Sequence, residues 1–304
     1  MARADMPEVT QVETHGHYQD VAQTYERAWF YEDDTPYQHF LIDNVRSVLE
    51  KHDVVKDKKV VADVGGGTGN FTSALWQKME GYDVPIYCVD PSDELLKLAA
   101  GREGVNPILG SAPNCSIKTG DGRFQIFVDY VLLKEVVHHL HDSPEKSDVP
   151  VDKLTNFQCD IQNEFAGAVS VLKQNVLAAK GGMLVLTRPG NSIHFPFFAS
   201  AHAAWNAVQM PSEFYAQCFE KHFANVEVTE RHYEVSIDRH RWVEMVKNRF
   251  WSHLSRLDDQ QLADGIIELE ESIEAAESTP QPWGRRDGDT IYFKDIIVFI
   301  DAYD

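Results

Sequence analysis

From Lys59 onward, short apolar runs closed by Gly, Asp or Pro alternate with longer segments in which apolar residues recur every three or four positions. Short continuous runs read as strands and the 3.6-residue period as helices, and their alternation predicts a parallel sheet joined by crossover helices. The pattern predicts strands at 59–63, 86–90, 106–109, 129–133 and 183–187. Between them lie a helix over about 70–79 and a second opened by Ser92, a residue whose hydroxyl can accept an otherwise unpaired helix N–H. Phe165, Val169, Leu172 and Val176 fall on one helical stripe, and Gly181-Gly182 is expected to end that helix before the fifth strand begins. Arg188-Pro189-Gly190 then breaks the strand.

Beyond Asn191 aromatic residues crowd the chain, at Phe195, Phe197, Phe198, Trp205, Phe214, Tyr215, Phe219 and Phe223, which predicts a helical insertion over about 191–223. A strand is expected at 226–230. Leu262, Ile266, Leu269 and Ile273 mark a helix with an acidic outer face, and 289–300 forms a long final strand. No repeat or linker interrupts the pattern. The reading is one large domain over 58–304 with the insertion as a cap, preceded by a helical extension over 1–57 rich in aromatic side chains.

Composition narrows the chemistry. The 304 residues carry 28 Lys and Arg against 48 Asp and Glu, a formal charge of −20. Such a field repels nucleic-acid phosphates and anionic lipid unless a basic patch opposes it, and Lys56, Lys58 and Lys59 are interrupted by Asp57. Partners are therefore expected to be small molecules, with neither nucleic acid nor membrane involved; the oligomeric state stays open. Cys88, Cys115, Cys159 and Cys218 are scattered, without a paired spacing for zinc or disulfides. With no long apolar run in the sequence, the expected location is the cytoplasm.

The most informative stretch is Val60-Val-Ala-Asp-Val-Gly-Gly-Gly-Thr-Gly-Asn70, a strand running into glycines and then a helix whose N–H groups face the same spot. A dinucleotide fingerprint needs its third glycine where Asn70 stands, and a phosphate loop needs Gly-Lys-Ser/Thr, which is absent. Asp63-x-Gly65-x-Gly67-x-Gly69 resembles motif I of the class I S-adenosylmethionine-dependent methyltransferases. The resemblance implies a Rossmann-like α/β fold: a mostly parallel seven-stranded sheet with an antiparallel last strand, helices on both faces, an N-terminal helical lid and a helical cap. It also implies S-adenosylmethionine as cofactor and S-adenosylhomocysteine as product. In that family Asp63 would help hold the cofactor's amino end, the glycines would make room for its carboxylate and ribose, and Asp90 would grip the ribose hydroxyls. Ser111-Ala112, after the third strand, would contact adenine. Tyr18 and Tyr25, one helical face apart in the extension, are the expected lid contacts to the cofactor.

After the fourth strand come Lys134-Glu-Val-Val-His138-His139 and then His141. Neighbouring histidines should point apart and chelate poorly, so no metal site is expected. A histidine closing a helix end is the plainer alternative. The segment is similar to the Lys-Trp-x-x-His-Asp of plant-type small-molecule O-methyltransferases, whose histidine is the general base. Carried over, His138 takes the acceptor's proton with His139 beside it, and Lys134 sits by the adenosyl end. An imidazole titrating near pH 6.5 in water suits that task. O-methylation of a small molecule leads. N-methylation of a small amine, a non-catalytic cofactor-binding partner protein and an NAD-linked oxidoreductase stand as alternatives.

Overall fold

The computed structural model describes residues 35–79, 83–112, 117–118, 125–140 and 158–304, with main chain alone over 158–162. Tyr18, Tyr25 and His141 lie outside these residues. Thr35 caps the first described helix, α1 (Pro36–Lys51), by accepting the Gln38 N–H at 3.1 Å, and proline at N1 presets the first turn. The α/β core follows as β1 (Val61–Val64), α2 (Asn70–Lys78), β2 (Ile86–Asp90), α3 (Asp93–Ala99), β3 (Val105–Leu109) and β4 (Val128–Lys134). Ser92 caps α3 as expected, its hydroxyl accepting the Leu95 N–H. Then come α4 (Gln158–Asn175), β5 (Leu177–Thr187), α5 (Ala199–Val208), α6 (Ser212–Glu220) and β6 (Asn225–Asp238). The chain ends with α7 (Arg239–Lys247), α8 (Asp259–Ala275), β7 (Gly284–Asp287) and β8 (Thr290–Tyr303).

The sheet order is β3-β2-β1-β4-β5-β8-β6, with β7 paired to β8 outside this path. The strands from β3 to β5 pair in parallel, whereas β8 is antiparallel to both β5 and β6. The mostly parallel sheet with an antiparallel last strand is thus present, and β7 makes it eight-stranded. Alternation along the strands splits the core between two faces. Leu132, Leu184, Leu186 and Phe299 pack with α1, α2, α7 and α8, while Val131, Leu133, Val185 and Ile300 pack with α4 and α6.

Three expectations need correction. Gly181 and Gly182 do not end a helix: α4 stops at Asn175 and β5 runs through both glycines. They are there for close approach. A Cβ at Gly181 would fall 2.9 Å from the Asp129 carbonyl oxygen, and one at Gly182 would fall 2.5 Å from the Tyr130 ring, beside a register shift in the β4–β5 ladder. The strand expected at 226–230 extends to Asp238 because β8 pairs with it along its whole length; beyond the charged stretch Glu230-Arg231-His232, Tyr233, Val235 and Ile237 resume the strand alternation. Helix α7 and strand β7 were not expected at all; α7 is held by Trp242, fully buried against Phe195, Phe197, Trp251 and Phe293, with its indole N–H on the Pro196 carbonyl at 2.7 Å. Among the described residues no helix is long and apolar enough to cross a membrane.

Candidate active site

The turn from β1 to α2 is built by backbone geometry. Gly65, Gly67 and Gly69 take φ of 82°, 59° and 71°, the left-handed region that L side chains avoid. The Gly65 N–H donates to the Val89 carbonyl at 2.7 Å, and the Gly67 N–H donates to Asp90 Oδ2 at 2.9 Å. Asp90 Oδ1 accepts the Ser92 N–H at 2.9 Å. Burial raises the Asp90 pKa, against the pull of these two N–H groups. The loop bearing Ser111 and Ala112 is tied to the same place, since the Gly110 N–H donates to the Asp90 carbonyl at 3.0 Å.

Asp63 is 1% exposed, and Thr72 Oγ1 donates to its Oδ2 at 2.6 Å. Its other carboxylate oxygen is buried and has no hydrogen-bond partner among the described residues. Burial pushes its pKa up, opposed by the Thr72 hydroxyl and the Lys134 ammonium. A buried carboxylate oxygen without a donor is costly, so it points to a donor supplied from outside the chain. Together with the glycine cradle, it fits the amino end and ribose of an adenosyl amino acid. Alanine at Gly65 would set a Cβ 2.5 Å from Val136 Cγ2 on a backbone of positive φ. Gly65→Ala is expected to lower stability by about 1–2 kcal/mol from the backbone alone. Urea midpoints check this, with Gly101→Ala, whose nearest neighbour would be 3.5 Å away, as a silent control.

Val136, which covers Gly65, leads directly into the 3₁₀ turn Val137–His139. The rings of His138 and His139, expected to point apart, lie with centroids 4.0 Å apart and tilted by 47°. They lie in tilted ring contact rather than diverging. His138 lines a cleft of about 520 Å³ together with Glu135, Arg188, Gln209, Ser252 and His253, under walls that include Trp205, Phe250 and Trp251. His139 is outside that lining. Lys134 stands on the cofactor side, its ammonium 5.2 Å from the centre of the Phe71 ring. Burial lowers its pKa, with Glu135 and Asp63 pulling the other way.

Several residues here carry the site although no motif marked them. Arg188, 4% exposed, donates from Nε and Nη2 to Asp295 at 3.0 Å each and from Nη2 to the Tyr37 hydroxyl at 3.0 Å; its Nη1 bonds Glu135. Tyr37 in turn donates to Asp295 Oδ2 at 2.7 Å. Burial works against the Arg188 charge, yet Asp295 and Glu135 raise its pKa well above the usual value. Glu135 itself has φ of 57°, a left-handed backbone at a residue with a side chain, and such strain is typical of functional sites. Burial lifts its pKa, countered by Arg188 and Lys134. The extension also reaches the cofactor loop: Gln38 Nε2 donates to Asn70 Oδ1 at 2.9 Å. One rule could have flagged Glu135 and Arg188, because both sit at carboxyl ends of neighbouring strands, where open α/β sheets place ligands.

Comparison with known proteins agrees with this geometry. Residues 62–147 match the methyltransferase domain family. Among solved structures, a candidate methyltransferase from an antibiotic biosynthesis pathway of Anabaena variabilis is similar over 85% of this chain and 96% of its own, with 17% identity and a TM-score of 0.51. A candidate methyltransferase from Bacillus halodurans aligns over 84% and 97%, with 13% identity and a TM-score of 0.48. The plantazolicin methyltransferase BpumL, solved with a desmethyl analogue and S-adenosylhomocysteine, aligns over 94% and 91%, with 12% identity and a TM-score of 0.47. Among curated protein sequences none matches this chain.

Proposed function

We infer that this class I S-adenosylmethionine-dependent methyltransferase methylates an oxygen atom of a small molecule, with His138 as general base. One observation carries the reading: Val136 packs on Gly65 of the cofactor loop, and His138, two residues on, lines the adjoining cleft. The cradle and the base therefore share one wall. Asp63, Gly65, Gly67, Asp90 and the loop at Ser111-Ala112 would hold the cofactor, and Lys134 would flank it. When bound, S-adenosylmethionine supplies an electrophilic methyl group on a sulfonium sulfur.

A ring nitrogen of His138 accepts the acceptor's hydroxyl proton, which raises the electron density on the oxygen as it reacts. The aromatic walls orient the acceptor and keep water out, and much of the acceleration comes from that positioning. His139 supports the ring of His138 by a tilted ring contact. The helix α1 acts as part of a lid, since Tyr37 and Gln38 reach both the charged cluster and the cofactor loop. Residues 1–57 as lid, 58–304 as catalytic domain and about 191–223 as cap complete the reading. Two free thiols, Cys88 and Cys218, are buried, which supports a cytoplasmic setting.

The test is turnover of hydroxylated and amine acceptors by the purified protein, with the product's methyl position read by nuclear magnetic resonance. A methyl group on oxygen is the expected result; one on nitrogen alone overturns the assignment. Asp90→Ala is expected to weaken S-adenosylmethionine binding by about 10- to 100-fold, the worth of a lost charge-assisted hydrogen bond, as calorimetry can read directly.

A further inference from the structure

The cleft beside His138 is unbalanced in charge. Arg188 spends its donors on Asp295, Tyr37 and Glu135, so two carboxylates share one guanidinium. Asp295 is fully buried, which leaves Glu135 as the carboxylate on the cleft wall. Lys134 is shared between Glu135 and Asp63, so among the described residues two cations, Arg188 and Lys134, face three carboxylates, Asp63, Glu135 and Asp295.

A second feature points the same way. Gln209 is 6% exposed and lines the cleft, and its Nε2 donates to Thr187 Oγ1 at 2.7 Å and to the Arg188 carbonyl at 2.8 Å. Those bonds fix the amide's orientation, and its Oε1 remains as an acceptor with no partner among the described residues. The polar atoms offered to a ligand are thus a carboxylate and an amide oxygen. A carboxylate-bearing ligand would find no uncommitted guanidinium to meet it. Trp205, Phe250 and Trp251 supply π faces around the same space, and such faces attract a cation by their quadrupoles.

We propose that the cleft selects acceptors carrying a protonated amine, seated against the Glu135 carboxylate and Gln209 Oε1 and walled by Trp205, Phe250 and Trp251, while the reacting hydroxyl faces His138. The proposal rests on the methyl-transfer reading above and names its acceptor class, a hydroxylated amine. An ammonium group gives Gln209 Oε1 a donor and adds a second cation to Glu135, whose Oε2 already holds Arg188 Nη1, whereas a neutral ring of the same size leaves the amide oxygen unmatched after driving off its water.

Calorimetric titration of the chain saturated with S-adenosylhomocysteine tests this with three probes of one shape: tyramine, 4-ethylphenol and 3-(4-hydroxyphenyl)propionate. Tyramine is expected to bind about tenfold tighter than 4-ethylphenol, with the propionate weakest. Glu135→Gln should abolish that preference, read as the ratio of tyramine to 4-ethylphenol affinity within the variant after its saturation with S-adenosylhomocysteine is verified. Phe250→Leu, which keeps apolar bulk but removes a π face, should weaken tyramine alone by about threefold to fivefold. Equal affinity for tyramine and 4-ethylphenol, a preference surviving both variants, or no binding of any probe overturns the proposal. So does a Glu135→Gln effect confined to S-adenosylmethionine relative to S-adenosylhomocysteine, which would assign Glu135 to the sulfonium. Failure of the methyl-transfer reading would show separately, as no S-adenosylhomocysteine binding before any probe is added.

Discussion

Replacing His138 by alanine is expected to lower kcat by about 10²- to 10⁴-fold, with cofactor affinity left nearly unchanged. The split follows from where the ring sits. His138 lines the cleft proposed for the acceptor, while Gly65, Gly67, Asp63 and Asp90, proposed to hold the cofactor, belong to the neighbourhood of the loop on which Val136 packs. Removing the ring deletes an interaction made as the proton leaves, so the loss falls on kcat and kcat/KM together. The neighbouring imidazole offers a control. His139 touches His138 but lies outside the cleft lining, so His139→Phe, which preserves the ring-to-ring contact, should cost far less than His138→Ala. His253 is a second imidazole on the same wall and sets the alternative. Single-turnover rates with saturating acceptor decide the matter: near wild-type turnover for His138→Ala, or a larger loss for His253→Phe, would remove His138 from the role of base.

The cofactor side of this site could be read directly from the chain, and the acceptor side could not. Asp63, Gly65, Gly67, Gly69 and Asp90 are legible because a tight strand-to-helix turn constrains local sequence: positive φ demands glycine, and a buried acid sits next to the end of β1 and at the end of β2. His138, proposed here as the base, was singled out for a similar local reason, its spacing from Lys134 across one turn. The acceptor cleft is assembled from distant parts of the chain. Glu135 and Arg188 are 53 positions apart, Arg188 and Asp295 are 107 apart, and Tyr37 and Asp295 are 258 apart. No periodicity or motif links such positions; only the sheet order, which sets β4 beside β5 and β5 beside β8, brings them together. The same cause explains the misread elements. Gly181 and Gly182 carry the local sign of a helix stop, but a close approach by β4 gives them their purpose, and the polar run over 229–232 stays in a strand because β8 pairs with it.

Asp295→Ala is expected to lower the free energy of unfolding by about 3–5 kcal/mol, the range for breaking a buried ion pair by removing one partner. Asp295 is fully buried and accepts from Arg188 twice and from Tyr37 once. Alanine leaves the guanidinium buried with Glu135 as its carboxylate and strips the Tyr37 hydroxyl of its acceptor. Because Tyr37 belongs to α1, the helix of the N-terminal extension, its anchorage to the sheet should loosen as well, and protease cleavage near α1 should rise in step with the loss of stability. Denaturant unfolding checks the size, and the surface pair Arg46–Glu50, spaced i to i+4 on α1 and half-exposed, supplies the contrast. Glu50→Ala there should change stability by less than about 0.5 kcal/mol. A loss below about 1 kcal/mol for Asp295→Ala would mean that water already shares the cluster. That result would also weaken the acceptor-side argument, because a solvated guanidinium could meet a carboxylate ligand, and Glu135 would no longer be the charge that the cleft leaves unmatched.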